Sequence, residues 1–274
     1  MNLVQIKGLL SNPLGKPAIL SVIRRQRGEP ESVTLNREVV QPPAVEAKLL
    51  DGAIAYVKVP FLAQGKALDA KNQVDGLLKK GASSIILDLR ASAGGEQSEA
   101  LELANLFIDS GIITYVQGQK FEKKVFEANS KETLTKAPLV VLINQGTGGA
   151  AEIVAGAIAD SRRGQLVGVR TFGDGSLQKL IPLDNGWALL ISVAKYYTPS
   201  GKEIQAVEPQ NSGIRPTVEV RAAADEVVDP NADEQAEVQP PAKDVPVPAP
   251  DDDKQLKKAI EILKDPTQAT KKAA

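Results

Sequence analysis

The sequence contains no cysteine and no histidine among its 274 residues, and only 4% of the residues are aromatic. Without cysteine there is no disulfide and no thiol nucleophile. Without histidine there is no histidine-based catalytic triad, and the two absences together exclude Cys/His zinc sites. The scarcity of aromatic residues argues against a surface on which nucleic-acid bases stack. No apolar run reaches the roughly 20 residues that a membrane-spanning helix needs.

The remaining composition is that of a globular protein, with 42% hydrophobic and 24% charged residues. The formal net charge of −1 provides no overall field that would attract nucleic acid or a membrane surface. An all-carboxylate metal site is still open, but the acidic residues show no EF-hand spacing. No metal and no other cofactor is predicted. The first residues, MNLVQIKGLLSNPLGKP, lack the apolar core of a signal peptide. We therefore expect the chain to begin inside a domain.

Strand and helix patterns alternate through the middle of the chain. Apolar runs predict strands at 53–59, 84–89 and 138–143, and three- and four-residue spacing predicts helices at 66–80 and 97–109. Continuous apolar strands that alternate with helices are typical of a parallel sheet covered on both faces. The pattern therefore predicts an α/β fold with a mainly parallel sheet.

The two ends of the chain have a different character. Residues 18–40 predict a β hairpin that turns at Gly28-Glu29-Pro30. The acidic and proline-rich stretch 222–253 has little to bury and is predicted to be a disordered linker. A short amphipathic helix is predicted over 254–264, followed by a disordered tail over 265–274.

The stretch INQGTGGAAEIVAGAIAD, residues 143–160, follows a predicted strand and opens a helix. Its Gly146-x-Gly148-x-x-Ala151 spacing is that of a dinucleotide fingerprint, whose glycines let a pyrophosphate approach a helix N-terminus. Against that function, the next strand ends in Arg170 rather than in an acidic residue. From these residues alone, a nucleotide site over Gly146–Ala151 and a tight structural turn are both open.

Two further stretches place glycines after predicted strands. In LDLRASAGGEQSEA, Gly94 and Gly95 open a helix and can free backbone N–H groups for a ligand, the alternative being a plain strand-to-helix turn. In the β-rich section 170–201, Asp174 lies between two glycines and is most simply a turn residue. The tyrosines of YYTPSGKEIQ, at 196 and 197, either border a ligand or only pack.

Taken together, four stretches resemble, in order, the C-terminal processing peptidases, also called tail-specific proteases, of peptidase family S41. They are LDLRASAGG, GTGGAAEIVAGAIAD, VGVRTFGDGSLQ and ISVAKYYTPSGKEIQ, and the resemblance runs from about residue 44 to 220. It implies that 43–221 forms a protease core of the ClpP/crotonase-like type. It also implies that 1–42 is a partial PDZ-like segment.

The family's reaction uses a serine that attacks the peptide carbonyl and a lysine that takes the serine's proton. By the resemblance, the serine position falls on Gly149 and the lysine position on Asp174. Gln178 keeps the glutamine that orients the lysine. The oxyanion donors fall on the backbone of Ala150 and on the Gly94-Gly95 turn.

The resemblance therefore implies a homologue of serine endopeptidases that cleave protein C-terminal tails, with both reacting side chains replaced. We expect it to be inactive and to bind extended peptide near Lys195, Tyr196 and Tyr197. The alternative is an active peptidase that uses Ser176 or Thr147 as its nucleophile. The expected partners are unfolded or C-terminal peptide segments and an active homologous protease, and the family implies a periplasmic or otherwise extracytoplasmic location.

Overall fold

The computed structural model describes residues 16–24, 27–36, 41–184, 187–222 and 253–265, together with the single positions 8, 10 and 38. The predicted linker 222–253 lies outside the described residues except at its two end positions. The predicted tail 265–274 lies outside them except for Asp265. Every helix within the described ranges is too short or too polar to cross a membrane.

The chain divides into two compact units. The smaller unit comprises Met1–Pro42 and Gln178–Val193, and the larger unit comprises Pro43–Leu177 and Ala194–Ala274. The strands are β1 (Ala18–Arg24), β2 (Arg27–Leu35), β3 (Glu46–Leu50), β4 (Ile54–Lys58), β5 (Ser84–Asp88), β6 (Ile112–Gln117), β7 (Lys124–Glu127), β8 (Leu139–Ile143), β9 (Gln165–Gly168), β10 (Ser176–Pro182), β11 (Ala188–Tyr197) and β12 (Val218–Glu219). The helices are α1 (Lys66–Lys79), α2 (Gln97–Asn105), α3 (Ala150–Asp160) and α4 (Lys254–Lys264), and Pro209–Asn211 forms one 3₁₀ turn.

In the smaller unit, β1 and β2 pair antiparallel, which confirms the predicted hairpin. The predicted turn at Gly28-Glu29-Pro30 is wrong, because these residues belong to β2 and Arg24 pairs with Arg27. Both strands of a two-stranded ribbon have an open edge, so a proline is tolerated within one of them. The same unit contains the connection between β10 and β11, where the Leu183 N–H donates to the Trp187 carbonyl at 2.8 Å.

The larger unit is built on a six-stranded sheet in the order β12-β9-β8-β5-β4-β3. All neighbouring pairs are parallel except β3 and β4, so the prediction of a mainly parallel α/β sheet is confirmed. The central strands β5 and β8 read SIILD and LVVLI and are buried at every position. Such strands need cover on both faces of the sheet, which explains their continuous apolar sequences.

Helices α1, α2 and α3 pack with one face of this sheet in a single apolar cluster. The helix predicted over 97–109 ends earlier, at Asn105. The carbonyls of Leu106, Phe107 and Ile108 instead accept hydrogen bonds from Leu134 N–H, the Arg163 guanidinium and the Thr133 hydroxyl, respectively. These contacts come from distant parts of the chain, so the local pattern could not predict where the helix ends.

Helix α4 covers the other face of the sheet and has the bounds predicted for the amphipathic helix. Its Ala259 and Ile262 are buried against apolar residues of β4, β5, β8 and β9. Arg90 holds the start of α4, because its guanidinium contacts both the buried Asp88, at 2.6 Å, and Asp253, at 2.8 Å. These bonds raise the pKa of Arg90, although burial acts in the opposite direction.

The burial of Ile262 predicts that α4 contributes to the stability of the larger unit. Ile262→Ala removes a side chain that is 1% exposed and should lower the free energy of unfolding by about 2–5 kcal/mol. The matched control is Leu68→Ala on α1, where the side chain is 56% exposed and the change should be within about 0.5 kcal/mol. Urea denaturation measures both values. Equal losses in the two variants would contradict the docking of α4.

Candidate functional site

A cavity of about 190 Å³ lies in the larger unit, beyond the carboxyl ends of β5 and β8, where α2 and α3 begin. Ligands of open parallel sheets bind at this edge. We call it the site cavity; its lining residues are Gly94, Gly95, Gln97, Gly149, Ala150, Ile153, Asp174, Ser176, Leu177, Tyr196 and Ile204. The structure therefore brings together Gly94, Gly95, Gly149 and Ala150, all of which were predicted for the site. Asp174, Ser176 and Tyr196, which were also predicted, line the same cavity.

Gly149 is the N-cap residue of α3 and has a backbone conformation that side chains rarely adopt, with φ 61° and ψ −120°. A Cβ atom built on it would lie 3.3 Å from the Gly94 Cα, so a side chain at this position would point toward the Gly94-Gly95 turn. With glycine here, the cavity wall at this point is backbone alone. The residue that the resemblance places at the nucleophile position thus offers no reacting group.

The Gly94-Gly95 turn passes directly over Leu62. Gly95 has φ 102°, and a Cβ on it would lie 2.7 Å from the Leu62 carbonyl oxygen, so only glycine fits. The Gly94 N–H donates to the Gly148 carbonyl at 3.3 Å. Among the described residues, no acceptor receives the N–H of Gly95 or that of Ala150. Two backbone donors of the cavity wall are therefore available to a ligand oxygen; their oxyanion role stays a prediction.

A buried carboxylate, that of Glu152, organises the wall around these donors. Each of its oxygens accepts two hydrogen bonds: one from the Thr171 hydroxyl and the Gly173 N–H, the other from the N–H groups of Gly149 and Asp174. The three backbone bonds measure 2.7–3.0 Å. Burial raises the pKa of Glu152, while these four hydrogen bonds act in the opposite direction.

Glu152 was missed as a site residue in the sequence. The signal was its position three residues after the N-cap Gly149, because a glutamate at that spacing typically accepts the N-cap N–H. That rule predicts one of its four bonds. The other three come from residues 171–174, and only the fold brings those residues to α3.

Asp174 and Ser176 both line the site cavity, and the Asp174 side chain is exposed. Neither side chain makes a hydrogen bond or ion pair with another described residue. Thr147, the other candidate nucleophile, is fully buried; its hydroxyl donates to the Leu89 carbonyl at 2.8 Å and accepts the Asn144 N–H at 3.0 Å. Both hydrogen bonds of the Thr147 hydroxyl therefore stabilise the turn, whereas the Ser176 hydroxyl is free to contact a ligand.

Of the three residues predicted to bind peptide, only Tyr196 lines the site cavity. Its hydroxyl donates to Gln97 Oε1 at 3.0 Å, and burial raises its pKa. Lys195 and Tyr197 instead contact Glu203, at 2.7 and 3.3 Å. Successive side chains of a strand point to opposite faces, which separates Tyr196 from its two neighbours. Gln178 belongs to the smaller unit, where its side chain is exposed on β10.

Gln97 was not singled out in the sequence, yet its amide contributes to the cavity wall. Its Nε2 atom is buried and has no hydrogen-bond partner in the described part of the chain. A buried donor without a partner costs about 1–3 kcal/mol, so such atoms are rare unless a ligand or water satisfies them. The position lies next to a glycine turn, which is the signal that could have pointed to it.

The turn at Gly146–Ala151 does not have the geometry of a dinucleotide site. The N–H groups of residues 146 to 149 donate, in order, to Asn144 Oδ1, the Asn144 carbonyl, the Ser92 carbonyl and Glu152 Oε2. A pyrophosphate needs several such groups free at a helix N-terminus. The buried Glu152 carboxylate at this end of α3 would also repel it. The structural turn, one of the two readings left open by the sequence, accounts for these glycines.

The four bonds to Glu152 predict a large effect of Glu152→Gln. An amide NH₂ group cannot accept hydrogen bonds, so two donors lose their acceptor, at about 1–3 kcal/mol each. We expect a loss of at least about 2 kcal/mol in urea denaturation and faster hydrogen exchange at the amide of Gly173 or at that of Asp174, depending on which carboxylate oxygen the NH₂ group replaces. The exposed Glu102→Gln on α2 should change neither quantity. Unchanged exchange at residues 173 and 174 in Glu152→Gln would contradict this arrangement.

Comparison with known proteins gives a consistent result. The family model of peptidase family S41 matches residues 53–220. The carboxyl-terminal-processing protease of Synechocystis sp. is 31% identical over 246 residues, which cover 88% of this chain and 54% of that protein. The carboxy-terminal processing protease of Bacillus subtilis is 33% identical over 219 residues, covering 80% and 46%.

Among solved structures, the photosystem II D1 C-terminal processing protease matches with a TM-score of 0.59 and 27% identity, over 75% of this chain and 55% of that one. The chain spans about half the length of the relatives it matches. The matched region includes both glycine turns and the whole lining of the site cavity. The chain belongs to peptidase family S41.

Proposed function

We propose that this protein is a catalytically inactive homologue of the C-terminal processing peptidases that retains the binding of extended peptide. One observation carries the proposal: the site cavity keeps its backbone donors at Gly95 and Ala150, while Gly149 and Asp174 stand at the positions that the resemblance assigns to serine and lysine. The backbone donors that the reaction would use are thus present, whereas the two reacting side chains are replaced.

The chemistry fails at two independent points. A serine hydroxyl attacks a peptide only after a neighbouring base, such as lysine or histidine, takes its proton. Gly149 has no hydroxyl, and Asp174 places a negative charge where the family has a cation. Neither lysine nor histidine is among the described residues that line the cavity. Backbone donors and substrate binding without a nucleophile and a base accelerate hydrolysis by about 10³–10⁴-fold over water, which is negligible for a peptide bond.

Peptide binding does not need the lost pair. The N–H groups of Gly95 and Ala150 can donate to a peptide carbonyl, and the unpartnered Gln97 Nε2 can donate to a second acceptor. The apolar side chains of Ile153, Leu177 and Ile204 border the same space. Binding through backbone hydrogen bonds with one pocket for a side chain is a recurring mode of peptide recognition.

The second candidate function is an active peptidase with a substitute nucleophile. Ser176 favours it, because its hydroxyl lines the site cavity and is not engaged by another described residue. Thr147 does not, because its hydroxyl is buried and bonded on both sides. Reacting atoms must come within about 3–3.5 Å in a defined alignment, and Ser176 stands on a different element from the donors that follow Gly149.

The resemblance supplies three further parts of the proposal. The segment 1–42 would correspond to part of a PDZ domain and 43–221 to a ClpP/crotonase-like core. The protein would act in the periplasm or another extracytoplasmic compartment. Its partners would be unfolded or C-terminal peptide segments, or an active homologous protease. The names of the relatives, which include bacterial and chloroplastic processing proteases, support this assignment.

Incubation with unfolded β-casein, followed by mass spectrometry of the products, tests the inactive function. We expect the purified protein to leave β-casein intact, and Ser176→Ala to behave identically. Cleavage at defined sites that disappears in Ser176→Ala would replace the proposal with the second candidate function. Cleavage that persists in Ser176→Ala and is lost in Thr147→Val would assign the nucleophile to Thr147.

A gain of function tests the assignment of the two positions. Gly149→Ser combined with Asp174→Lys should cleave β-casein, and either change alone should not, because nucleophile and base act as a unit. Serine at φ 61° carries backbone strain of about 1–3 kcal/mol, so thermal unfolding should be followed for each variant. A folded double variant without activity would contradict the assignment of Gly149 and Asp174.

A further inference from the structure

One polar pair of side chains stands among the apolar residues of the site cavity. The apolar side chains are those of Ile153, Leu177 and Ile204, and the polar pair consists of Gln97, the first residue of α2, and Tyr196 of β11. The Tyr196 hydroxyl donates to Gln97 Oε1 at 3.0 Å, across a separation of 99 residues in the chain. The pair therefore exists only because the fold brings α2 and β11 together.

This hydrogen bond determines which end of the Gln97 amide is left without a partner. Oε1 accepts the Tyr196 proton, so the two N–H groups of Nε2 remain, and Nε2 is buried with no acceptor in the described part of the chain. With the amide turned over, Nε2 would donate to the Tyr196 oxygen. Gln97 Oε1 and the Tyr196 proton would then both lack a partner, since the hydroxyl has no other contact among the described residues. The observed orientation leaves a donor, not an acceptor, for a ligand.

The surroundings of the pair make this donor selective. Burial raises the pKa of Tyr196, and no charged neighbour contributes to the shift. In such weakly polar surroundings a hydrogen bond is stronger than in water, and an unpaired donor is correspondingly unfavourable. A ligand group that pairs with Nε2 therefore gains more than the same group would gain at an exposed site.

We propose that Gln97 is a specificity-determining residue, which makes the site cavity select a peptide side chain carrying a hydrogen-bond acceptor on a short apolar stem. The terminal torsion of a glutamine is broad, so its NH₂ group can turn toward an oxygen that enters the cavity. A purely apolar side chain would fill the same space and leave Nε2 unpaired. Sites with such a donor discriminate strongly against the analogue that lacks the acceptor. This inference rests on the proposed function, since it names the class of peptide that the site takes.

A matched pair of peptides tests the proposal. Both are alanine peptides of about seven residues with blocked ends, and the central residue is O-methylserine in one and norvaline in the other. These side chains have the same length and differ in an ether oxygen, which accepts a hydrogen bond and cannot donate one. In calorimetry, we expect the O-methylserine peptide to bind at least about fivefold more tightly.

Two variants connect this preference with the polar pair. Gln97→Met keeps the length of the side chain and removes both donors, so the two peptides should bind equally well. Tyr196→Phe should reduce the preference, because Gln97 loses the hydrogen bond that orients its amide. The control is Gln73→Met, which makes the same replacement at an exposed position of α1 and should leave the preference unchanged. Equal binding to the unmodified protein, or a preference that survives in Gln97→Met, overturns the role of Gln97 while the proposed peptide binding stands.

Thermal unfolding of the free protein supplies a measurement that needs no ligand. Because Nε2 has no partner, replacing both polar groups by Gln97→Met with Tyr196→Phe should raise the midpoint by about 2–4 °C. A midpoint that does not rise would show that the amide is already satisfied in the free protein, which contradicts the proposal.

A second probe judges Gln97 even if neither peptide binds, a result that would refute the proposed peptide binding. The blocked single residues, N-acetyl-O-methylserine amide and N-acetylnorvaline amide, are titrated into isotopically labelled protein. The side-chain NH₂ signals of Gln97, assigned by their absence from Gln97→Met, are followed by NMR. The ether should shift these signals and the norvaline compound should not. Absence of a shift with the ether, or equal shifts with both compounds, overturns the assignment.

Discussion

The buried carboxylate of Glu152 is the interaction on which the site depends. Its four hydrogen bonds fasten the start of α3 to residues 171–174, so two segments far apart in the chain form one wall. The connection continues beyond the carboxylate, because the Thr171 hydroxyl accepts the Ile214 N–H at 2.7 Å. The neighbouring Gly213 carbonyl receives Lys202. These contacts thus connect the start of α3 with residues 213–214 and the segment that follows β11.

This dependence fits the proposed function, in which the backbone donors of the family's site are retained without the reacting side chains. The positions of the Gly95 and Ala150 N–H groups follow from the glycine turn over Leu62, from the start of α3 and from Glu152. None of these elements uses a side chain at residue 149 or the side chain of Asp174. The fold therefore does not depend on which side chains stand at positions 149 and 174. Removing Glu152, by contrast, leaves the N–H groups of Gly149, Gly173 and Asp174 without their acceptor.

The sequence predicted the parts of the fold that depend on local patterns. The buried runs SIILD and LVVLI identified β5 and β8, and the spacing of KQLKKAIEILK identified α4. Prediction failed where distant contacts decide the structure. Helix α2 stops at Asn105 because Leu134 and Arg163 take up the carbonyls that follow. The error in the hairpin is a local one: Arg24 pairs with Arg27, so Gly28-Glu29-Pro30 fall within β2.

For the site, motifs and the resemblance together placed Gly94, Gly95, Gly149 and Asp174 around one cavity, as the structure has them. Their assigned chemical roles rest on the resemblance and stay predictions. Lys195 and Tyr197 were included because they adjoin Tyr196, although strand alternation turns them toward Glu203. Three of the four Glu152 bonds had no local signal, since they exist only when separate segments meet. The only local signal for Gln97 was its position beside the Gly94-Gly95 turn.

On the proposed function, the site cavity binds a peptide and does not cleave it, and one NMR experiment observes both properties. The labelled protein is mixed with an excess of an unlabelled extended peptide, and the protein and peptide signals are recorded together over a day. We expect the amide signals of Gly95 and Ala150 to shift while the peptide signals stay unchanged in number. New peptide termini would show that the protein is an active peptidase, and unshifted Gly95 and Ala150 amides would show that the cavity does not bind peptide.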